Sequence, residues 1–488
     1  MNDVNAGELS KLVETTMTKI YAFAFFLLFG MATTAGAQEK ITLEKAIETA
    51  LNNNIQVKQA KLTEALSDAD IKQAKANLFP TLNLSTQATE NFGRNIDPST
   101  NQFTNNAIFA AFGNLSSQVT LFQGGQRINQ IRQNKLSLDA DKSNTDKVKN
   151  DLTLNVVTTF LQILSNRDLL EAAKQQVTIA NETLNREQKN FDAGNKTQAD
   201  LSQAKAQLST AEFDQTTAQN NLELSMLTLK QYMEYPPDRE IEILVPDVEK
   251  LMSPSADYSF ETVYREALNR YPDVKLADLR ALATQKGIDI ARGGMLPRLD
   301  LGGSLGTNYS DGRRLFERAV PNGRVDTIGF VGNQAVVAPQ FDQILRNYAF
   351  NRQIGDNFNQ SVGLTLSFPV FNNWQAKTQL RKAKINAQNA QYSAQLARTN
   401  LSKVIAQSVW DVGASQKKLE SAERTYQSNK EAFNVIEKRY NVGLVNSLDY
   451  NTSRTNLNRS QFDLINARYD YIFKVKLIDY YIGKPITF

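Results

Sequence analysis

The chain has 488 residues, contains neither histidine nor cysteine, and carries a formal net charge of +4 at pH 7. The missing imidazole and thiol groups exclude disulfides, thiol redox chemistry, His/Cys metal sites and every catalytic triad that needs either group. The charges are nearly balanced and spread along the chain, so there is no basic block of the kind that nucleic-acid binding requires. These features predict a protein that is not an enzyme and that binds no cofactor, metal or nucleic acid.

The N-terminal segment has the pattern of an export signal. Residues 17–38, MTKIYAFAFFLLFGMATTAGAQ, combine Lys19, an apolar run and an A-x-A cleavage site that ends at Ala37. The apolar run is too short to span a bilayer. We therefore predict a signal peptide over 1–37, with Met17 as an alternative start and a membrane anchor as the alternative interpretation. Export places the mature protein in the periplasm, in the outer membrane or outside the cell.

Two halves of the chain repeat one pattern. Residues 41–85 align with 258–302 without a gap, and a larger offset, which aligns Phe122 with Phe371, then holds to the end of the repeat. The extra residues of the second half must therefore lie between its two strands. Two copies are too few for a solenoid, so one large unit has been duplicated. The predicted parts are a first repeat, a linker and a second repeat, over 38–235, 236–257 and 258–488.

Each repeat begins with a helix that stops at a proline. The first predicted helix, about 42–78, ends before Pro80, and its counterpart, about 258–295, ends before Pro297. Proline disfavours helical backbone in the residue before it, so the chain changes conformation at both positions. We predict that these two prolines are helix-to-strand hinges.

Strands with alternating apolar and polar residues follow each hinge. In TLNLSTQA, Leu82 and Leu84 alternate with Asn83 and Ser85, the period-2 pattern of a strand with one apolar face. The predicted strands cover about 80–90 and 113–122 in the first repeat, and about 297–309 and 359–371 in the second. The loops that connect these pairs are predicted over about 91–112 and 310–357.

Most of the remaining chain is predicted to be helical. The predicted helices cover about 123–190, 197–232, 372–440 and 447–482. At 1.5 Å per residue the longest are on the order of 100 Å long, so they project away from a sheet and do not cover it. The apolar strand faces could pack on a second sheet in a soluble sandwich or on lipid in a barrel, and this helix length favours lipid. The helices fit either a solitary coiled pair or one part of a cylindrical wall.

The order of motifs resembles a known family. The hinge motifs LFP and MLP, the segment SFPVFNNWQAKTQLRKAK (367–384) and the C-terminal segment 439–483 occur in sequence within the duplicated frame. Together they resemble the TolC family of outer-membrane efflux proteins. The resemblance implies a mainly α protein with a membrane β-barrel portion, built from a duplicated helix-strand-strand-helix-helix unit. It also implies a homotrimer with a twelve-stranded barrel that continues into a long periplasmic α-helical tunnel.

The same resemblance implies a location, a function and partners. The chain would lie in the outer-membrane lipid, with its tunnel extending into the periplasm. It would be the exit duct of a tripartite export system, conducting small toxic compounds as in drug efflux, with a periplasmic adaptor and an inner-membrane pump as partners. The alternatives are a type I protein secretion duct of the same family and a periplasmic coiled-coil adaptor or scaffold.

Candidate functional residues lie in the turns that end the long helices. Gly194 and Gly443 fit helix C-caps that need positive φ, and the resemblance makes these turns the periplasmic tip that docks the adaptor. It also implies a gate, with a hydrogen bond between Tyr440 and Asp200 and a ring of Asp449 carboxylates. The alternative is that both aspartates are ordinary residues of helix N-termini, where the helix dipole favours negative charge. The resemblance makes the two proline hinges the junction between tunnel and barrel.

Overall fold

The computed structural model describes residues 39–96, 101–246 and 258–484. The predicted signal peptide and the second part of the predicted linker, from residue 247 to 257, lie outside the described residues. The chain divides into two compact units, which are treated separately below. Unit 1 consists of Met1–Val57, Lys149–Ala267 and Ile405–Phe488, and unit 2 consists of Lys58–Val148 and Leu268–Val404. Each unit takes segments from both halves of the sequence, so the compact units do not coincide with the predicted repeats.

The described residues form a mainly helical chain with ten strands. The helices are α1 Leu43–Asn53, α2 Ile55–Ala76, α3 Gln126–Asp192, α4 Gln198–Tyr232, α5 Phe260–Arg270, α6 Pro272–Gly293, α7 Phe350–Asp356, α8 Gln375–Asn441 and α9 Ser447–Tyr481. The strands are β1 Glu39–Ile41, β2 Thr81–Asn91, β3 Asn95–Ile96, β4 Phe103–Thr104, β5 Ile108–Gln123, β6 Ile241–Ile243, β7 Arg298–Ser310, β8 Arg314–Val331, β9 Gln334–Asn347 and β10 Asn359–Ser367. Within the described ranges, no helix is long and apolar enough to cross a bilayer.

The bounds of the helices reproduce the two offsets found by aligning the two halves of the sequence. Helices α3 and α8 each have 67 residues, and α4 and α9 each have 35. The bounds of α8 and α9 follow those of α3 and α4 by the larger offset, whereas those of α5 and α6 follow those of α1 and α2 by the smaller. The additional residues fall between β7 and β10, because the connection over 311–358 is much longer than its counterpart over 92–107.

The first helix of each half is broken, whereas the sequence predicts continuous helices over 42–78 and 258–295. Helices α1 and α2 are separated by Asn54, whose side chain caps the first turn of α2 through a 2.9 Å hydrogen bond. Helices α5 and α6 are separated by Tyr271, because Pro272 opens α6. An asparagine side chain competes for backbone groups, and proline has no N–H to continue the earlier helix. The predicted continuity is therefore wrong in both halves.

The two longest helices begin three residues later than predicted. Before α3, Gly124 and Gly125 have φ of +55° and +72°, and before α8, Asn373 and Trp374 have φ of +51° and +62°. Two successive residues with left-handed backbone cannot be part of a right-handed helix. The first half places glycines at this strained junction, whereas the second half places two larger residues there.

Two strand bounds also differ from the prediction. Strand β5 begins at Ile108, so the end of the predicted loop 91–112 is strand. Strand β10 ends at Ser367 and not at residue 371, because Pro369 has no N–H to donate to a ladder.

The predicted loop 310–357 is a folded insertion. Strands β8 and β9 form an antiparallel hairpin, joined by the two residues Gly332-Asn333 with Gly332 at φ +64°. Gln353 of α7 is fully buried. It accepts a 3.0 Å hydrogen bond from the Ser310 N–H and donates a 2.9 Å bond to the Ser310 carbonyl. These two bonds anchor the insertion at the end of β7.

Helix α8 carries a narrow buried stripe in unit 1, with the spacing that is typical of coiled coils. Five buried residues of α8 in this unit follow one another at alternating spacings of three and four: Ile405, Ser408, Val412, Ser415 and Leu419. This spacing keeps one narrow stripe against a partner helix. On α3, Val156, Val157 and Phe160 are also buried, with Phe160 only 1% exposed.

Part of the predicted linker 236–257 is ordered structure within unit 1. Strand β6 pairs in parallel with β1, so that Ile41 lies opposite Ile243. Ile41 and Ile241 are both buried. The described part of the linker is therefore attached to the start of the described chain.

A close approach of two glycines in unit 2 generates a test of this packing. A Cβ atom on Gly293 would lie 2.6 Å from the Gly124 carbonyl oxygen. The contact is between two backbone segments, so it can be relieved only if one of the segments moves. We expect Gly293→Ala to destabilise the fold by about 1–3 kcal/mol, measured as a lower midpoint of denaturant unfolding in detergent micelles.

Gly287→Ala in the same helix is the matched control. Its Cβ would meet only the end of the flexible Gln133 side chain, at 3.4 Å. Alanine favours helix over glycine by about 1 kcal/mol, so this variant should be neutral or more stable. Equal losses in the two variants would contradict the close contact.

Candidate functional site

Four strands of unit 2 form one antiparallel sheet in the order β10-β7-β5-β2. In several rows its register joins residues of like character across neighbouring strands. Leu84 pairs with Leu115, which pairs with Leu305. The next rows are polar, because successive side chains of a strand point to opposite faces. The sheet therefore has one apolar and one polar face.

The apolar face is uncovered in the described chain. Leu82 and Leu84 on β2 are 70% and 72% exposed, and Val362 and Leu364 on β10 are 83% and 66% exposed. Exposed apolar surface costs about 25 cal/mol per Å² relative to burial, and a continuous patch of this kind marks a contact with lipid or protein.

The polar face is built from hydroxyl, amide and charged groups. Asn83, Ser116, Ser304 and Ser361 form one row, in which the hydroxyls of Ser304 and Ser361 are 2.8 Å apart. Such a face can line water.

At the hinge end of the same face lies a charged cluster. Thr120 donates to Asp300 at 2.6 Å, and the Arg298 guanidinium lies 2.7 Å from the same carboxylate. This cluster joins β5 and β7, and therefore the two halves of the chain.

Both edges of this sheet are open in the described chain. Strands β2 and β10 each have one neighbour, so each presents a row of backbone N–H and C=O groups without a ladder partner. Such groups pair with another strand or with water, and lipid offers them neither.

Pro80 and Pro297 occupy equivalent places in unit 2. Each is the residue directly before its strand, and each follows the preceding helix by four residues. The Arg127 guanidinium of α3 fixes the first hinge, because it donates to the Asn77 carbonyl and, at 2.9 Å, to the Thr120 hydroxyl.

The two turns predicted as the tip lie in unit 1 and have one geometry. Gly194 and Gly443 have φ of +75° and +78°. At the first turn the N–H groups of Gly194 and Asn195 donate to carbonyls three and five residues earlier, at 2.8 Å each. The second turn repeats this pattern at 3.0 and 2.9 Å. Both turns are Schellman C-caps, which favour glycine because of the positive φ.

Tyr440 lies in the last turn of α8 and is 9% exposed. Its hydroxyl donates to Glu187 of α3 at 2.9 Å. Burial, followed by this hydrogen bond, raises the pKa of Tyr440 above its usual range, so the hydroxyl stays protonated and keeps donating. The predicted bond to Asp200 is absent within the described chain, because the single phenolic proton is engaged by Glu187.

Asp200 instead forms part of a capping box at the start of α4. Its carboxylate accepts from the N–H of Thr197 at 3.1 Å, and the Thr197 hydroxyl accepts from the Asp200 N–H. The Ser447 hydroxyl at the start of α9 donates to the same carboxylate at 2.6 Å. The bonds from Ser447 and then Thr197 lower the pKa of the Asp200 carboxyl. Asp200 therefore joins the N-termini of α4 and α9.

Asp449 occupies the corresponding position of α9 but makes a different contact. Its backbone N–H donates to the Asn446 side chain at 2.8 Å, and its own side chain is exposed. Within one chain, Asp200 therefore has the geometry of an ordinary residue at a helix N-terminus, which was the alternative interpretation. The Asp449 carboxylate is exposed to solvent.

Further residues that lie near Tyr440 were not predicted from the sequence. The rings of Tyr440 and Tyr450 stack with centroids 4.5 Å apart, and the Arg186 guanidinium lies 5.3 Å and 5.6 Å from their centroids. Buried Arg454 donates to Thr183 at 2.9 Å. The second oxygen of Glu187, in a side chain 4% exposed, has no hydrogen-bond partner among the described residues.

The position of Glu187 on the buried stripe of α3 is a signal that could have identified it. It follows buried Ala180 and Thr183 at positions i+7 and i+4 on the packing stripe of α3. A charged residue on such a stripe predicts a paired, buried charge.

Comparisons with known proteins agree with this geometry. The family model described as outer membrane efflux protein matches residues 46–233 and 263–476. The chain is 25% identical over 325 residues to outer membrane protein TolC of Escherichia coli (strain K12), covering 66% of this chain and 59% of that relative's length. It is 23% identical over 439 residues to toxin and drug export protein A of Aggregatibacter actinomycetemcomitans, covering 88% of this chain and 83% of that relative.

A solved structure has the same fold. The crystal structure of the outer membrane protein VceC from Vibrio cholerae superposes with a TM-score of 0.71 at 18% identity, covering 91% of this chain and 97% of that one. The family model covers well over half of the chain. The chain belongs to the outer membrane efflux protein family.

Proposed function

We propose that this chain is the outer-membrane exit duct of a tripartite export system, passively conducting small toxic compounds out of the cell. The observation that carries the proposal is the sheet of unit 2, which has an exposed apolar face, a polar face and two open edges. Lipid against the apolar face and water against the polar face satisfy both surfaces. Family membership supports the same conclusion, and the duct needs no catalytic group.

The duct is a homotrimer. A four-stranded sheet with open edges is unstable in lipid, because the N–H and C=O groups at its edges would have no hydrogen-bond partner there. Three copies supply twelve strands, within the range of closed outer-membrane barrels. The helices of the three chains then form the periplasmic tunnel, and the two proline hinges lie where tunnel and barrel meet.

A periplasmic adaptor and an inner-membrane pump are the partners. The capped turns at Gly194 and Gly443 are the tip that docks the adaptor, since they end the long helix pairs. One relative is named for the export of both toxins and drugs. A type I protein secretion duct is therefore the second candidate function, and deletion of the gene separates the two. Increased sensitivity to dyes and detergents indicates efflux, and loss of a secreted protein indicates secretion.

The tip also serves as the gate. Tyr440 and Glu187 fasten α8 to α3, and Asp200 and Ser447 fasten α4 to α9. Separation of these helix pairs at the tip would widen the bore. The exposed Asp449 carboxylates form an acidic ring at this end.

The assembly is tested by its behaviour in detergent. The mature protein should leave membranes only with detergent and should run as a stable trimer in light scattering, with folded monomer scarce. A coiled-coil adaptor or scaffold would be released without detergent. A monodisperse folded monomer would refute the duct.

The orientation of the sheet is tested by a pair of neighbouring substitutions. Leu364→Arg places a charge on the apolar face and should cost about 2–4 kcal/mol near the bilayer midplane. Thr365→Arg, on the polar face, should assemble and fold as the wild type does. Yields of folded trimer in outer-membrane fractions measure both. Equal damage from the two variants would contradict a lipid-facing apolar surface.

The gate is tested by single-channel conductance in planar bilayers. Tyr440→Phe removes the bond to Glu187 and keeps the ring stacked on Tyr450. At roughly 1 kcal/mol per bond in each of three chains, the closed state would lose about 3 kcal/mol, or roughly 150-fold in population. We expect a higher conductance.

Two further variants complete the gate experiment. Tyr392→Phe is the matched control, because that hydroxyl lies exposed on α8 and, among the described residues, contacts only Gln388, at 3.2 Å. Asp449→Ala should leave conductance near the wild-type value and weaken cation preference, because a ring of carboxylates concentrates cations. Wild-type conductance in Tyr440→Phe together with wild-type selectivity in Asp449→Ala would remove the gate role from these residues.

A further inference from the structure

The two edge strands of the sheet are repeat copies of its two central strands. The larger offset, which aligns Phe122 with Phe371, places β10 on β5, and the smaller one places β7 on β2. The hairpin registers confirm both offsets. Thr81 lies opposite Gln118 in the first hairpin, and their counterparts Arg298 and Ser367 lie opposite each other in the second.

The central pair β5·β7 is the contact between the two halves of the chain. In it, Leu115 lies opposite Leu305, and Ser116 lies opposite Ser304. The same contact can recur only between β10 of one copy and β2 of another, because those strands hold the equivalent positions and have open edges. The occupant of each edge is thus a second copy of this chain.

In the proposed trimeric duct, β10 of one copy pairs with β2 of a second copy, and we propose that this pair takes the register of β5·β7. In the repeat alignment, Ser116 and Ser304 correspond to Thr365 and Gln87. Leu115 and Leu305 correspond to Leu364 and Ala88. The proposal therefore places Thr365 opposite Gln87 of the second copy, and Leu364 opposite Ala88 of that copy. This register rests on the proposed trimeric duct and specifies its subunit contact residue by residue.

The faces of the two strands agree with this register. Thr365 lies in one row with Asp300 and Thr120, on the polar face, and Gln87 shares the face of Asn83. Leu364 shares a row with Leu301 and Val119 on the apolar face. A slip of one residue would set an apolar side chain beside a polar one across the whole junction. Slips of two residues keep the faces and are the competing registers.

The helix ends next to the proposed β10·β2 contact cannot approach each other as closely as their counterparts next to β5·β7 do. A Cβ on Gly124 would lie 2.4 Å from the Gly293 carbonyl oxygen. The counterparts of Gly124 and Gly293 are Asn373 and Ala76, which both carry a Cβ. The helix ends must therefore stand further apart between copies than within one chain, while strand register is kept by the ladder hydrogen bonds.

The charged cluster of Thr120, Arg298 and Asp300 also has no equivalent at the proposed contact between copies. The counterparts of Arg298, Asp300 and Thr120 are Thr81, Asn83 and Pro369, all of them uncharged. The contact between copies therefore has no ion pair at this position. Its strength should depend little on salt, since there is no charge pair there to screen.

Cysteine pairs test the register directly, because the natural chain has no cysteine. Thr365→Cys with Gln87→Cys should form a disulfide between copies under oxidation, seen as dimer and trimer bands on a denaturing gel. Within one chain these residues lie on opposite edges of a four-stranded sheet, so they are separated by at least about 14 Å, given roughly 4.8 Å per strand. A disulfide needs Cα atoms within about 7 Å, so any disulfide joins two copies.

The controls are the two slipped pairs, Thr365→Cys with Ser85→Cys and Thr365→Cys with Thr89→Cys. Diagonal neighbours are about 7–8 Å apart, against about 5 Å for opposed residues. They should therefore cross-link several-fold less, at low and at high salt alike. A stronger band from a slipped pair, or no band from any pair in a sample that is trimeric by light scattering, overturns the register and leaves the duct intact. A sample that is monomeric by light scattering overturns the duct itself.

Discussion

The pairing of β5 with β7 is the contact on which unit 2 depends. It joins two hairpins from different halves of the chain and sets the rows that make one face apolar and the other polar. Side chains alternate along a strand, so a single register determines the chemistry of both faces. The duplication then leaves equivalent strands at the two edges. The chemistry of both faces and the proposed assembly therefore follow from one antiparallel ladder.

The two glycine-capped turns of unit 1 are held by a different kind of contact. Glycine caps end the long helices at Gly194 and Gly443, and the carboxylates of Glu187 and Asp200 link neighbouring helices. Glu187 is buried with one oxygen unpaired among the described residues, and a buried charge in that state is costly. This unpaired buried oxygen agrees with the proposed role of these turns as a gate, because it gives the closed arrangement an unfavourable contribution.

The sequence predicted the duplicated order of elements, the change from helix to strand at Pro80 and Pro297, and the long helices, because internal alignment, prolines and periodicity are local signals. It missed the break at Pro272, although proline at a first helical position is a known signal. It also missed the β8–β9 hairpin, although Gly332-Asn333 between β-rich segments predicts one. The residue that accepts the hydrogen bond from the Tyr440 hydroxyl could not be predicted from the sequence. That choice depends on which of several carboxylates the folded helices bring within hydrogen-bond reach.

The insertion between β7 and β10 has a consequence for how this chain can change. Its base is closed by Gln353 on Ser310 and by the Asn357 amide, which donates to the Asn308 carbonyl at 2.8 Å. Beyond that closure, the β8–β9 hairpin pairs with itself and, in the described chain, is no part of the four-stranded sheet. Length and sequence can therefore vary there while the sheet stays as it is. This position is therefore suited to the insertion of a foreign peptide, and it is a part of the chain where sequence can diverge without changing the sheet.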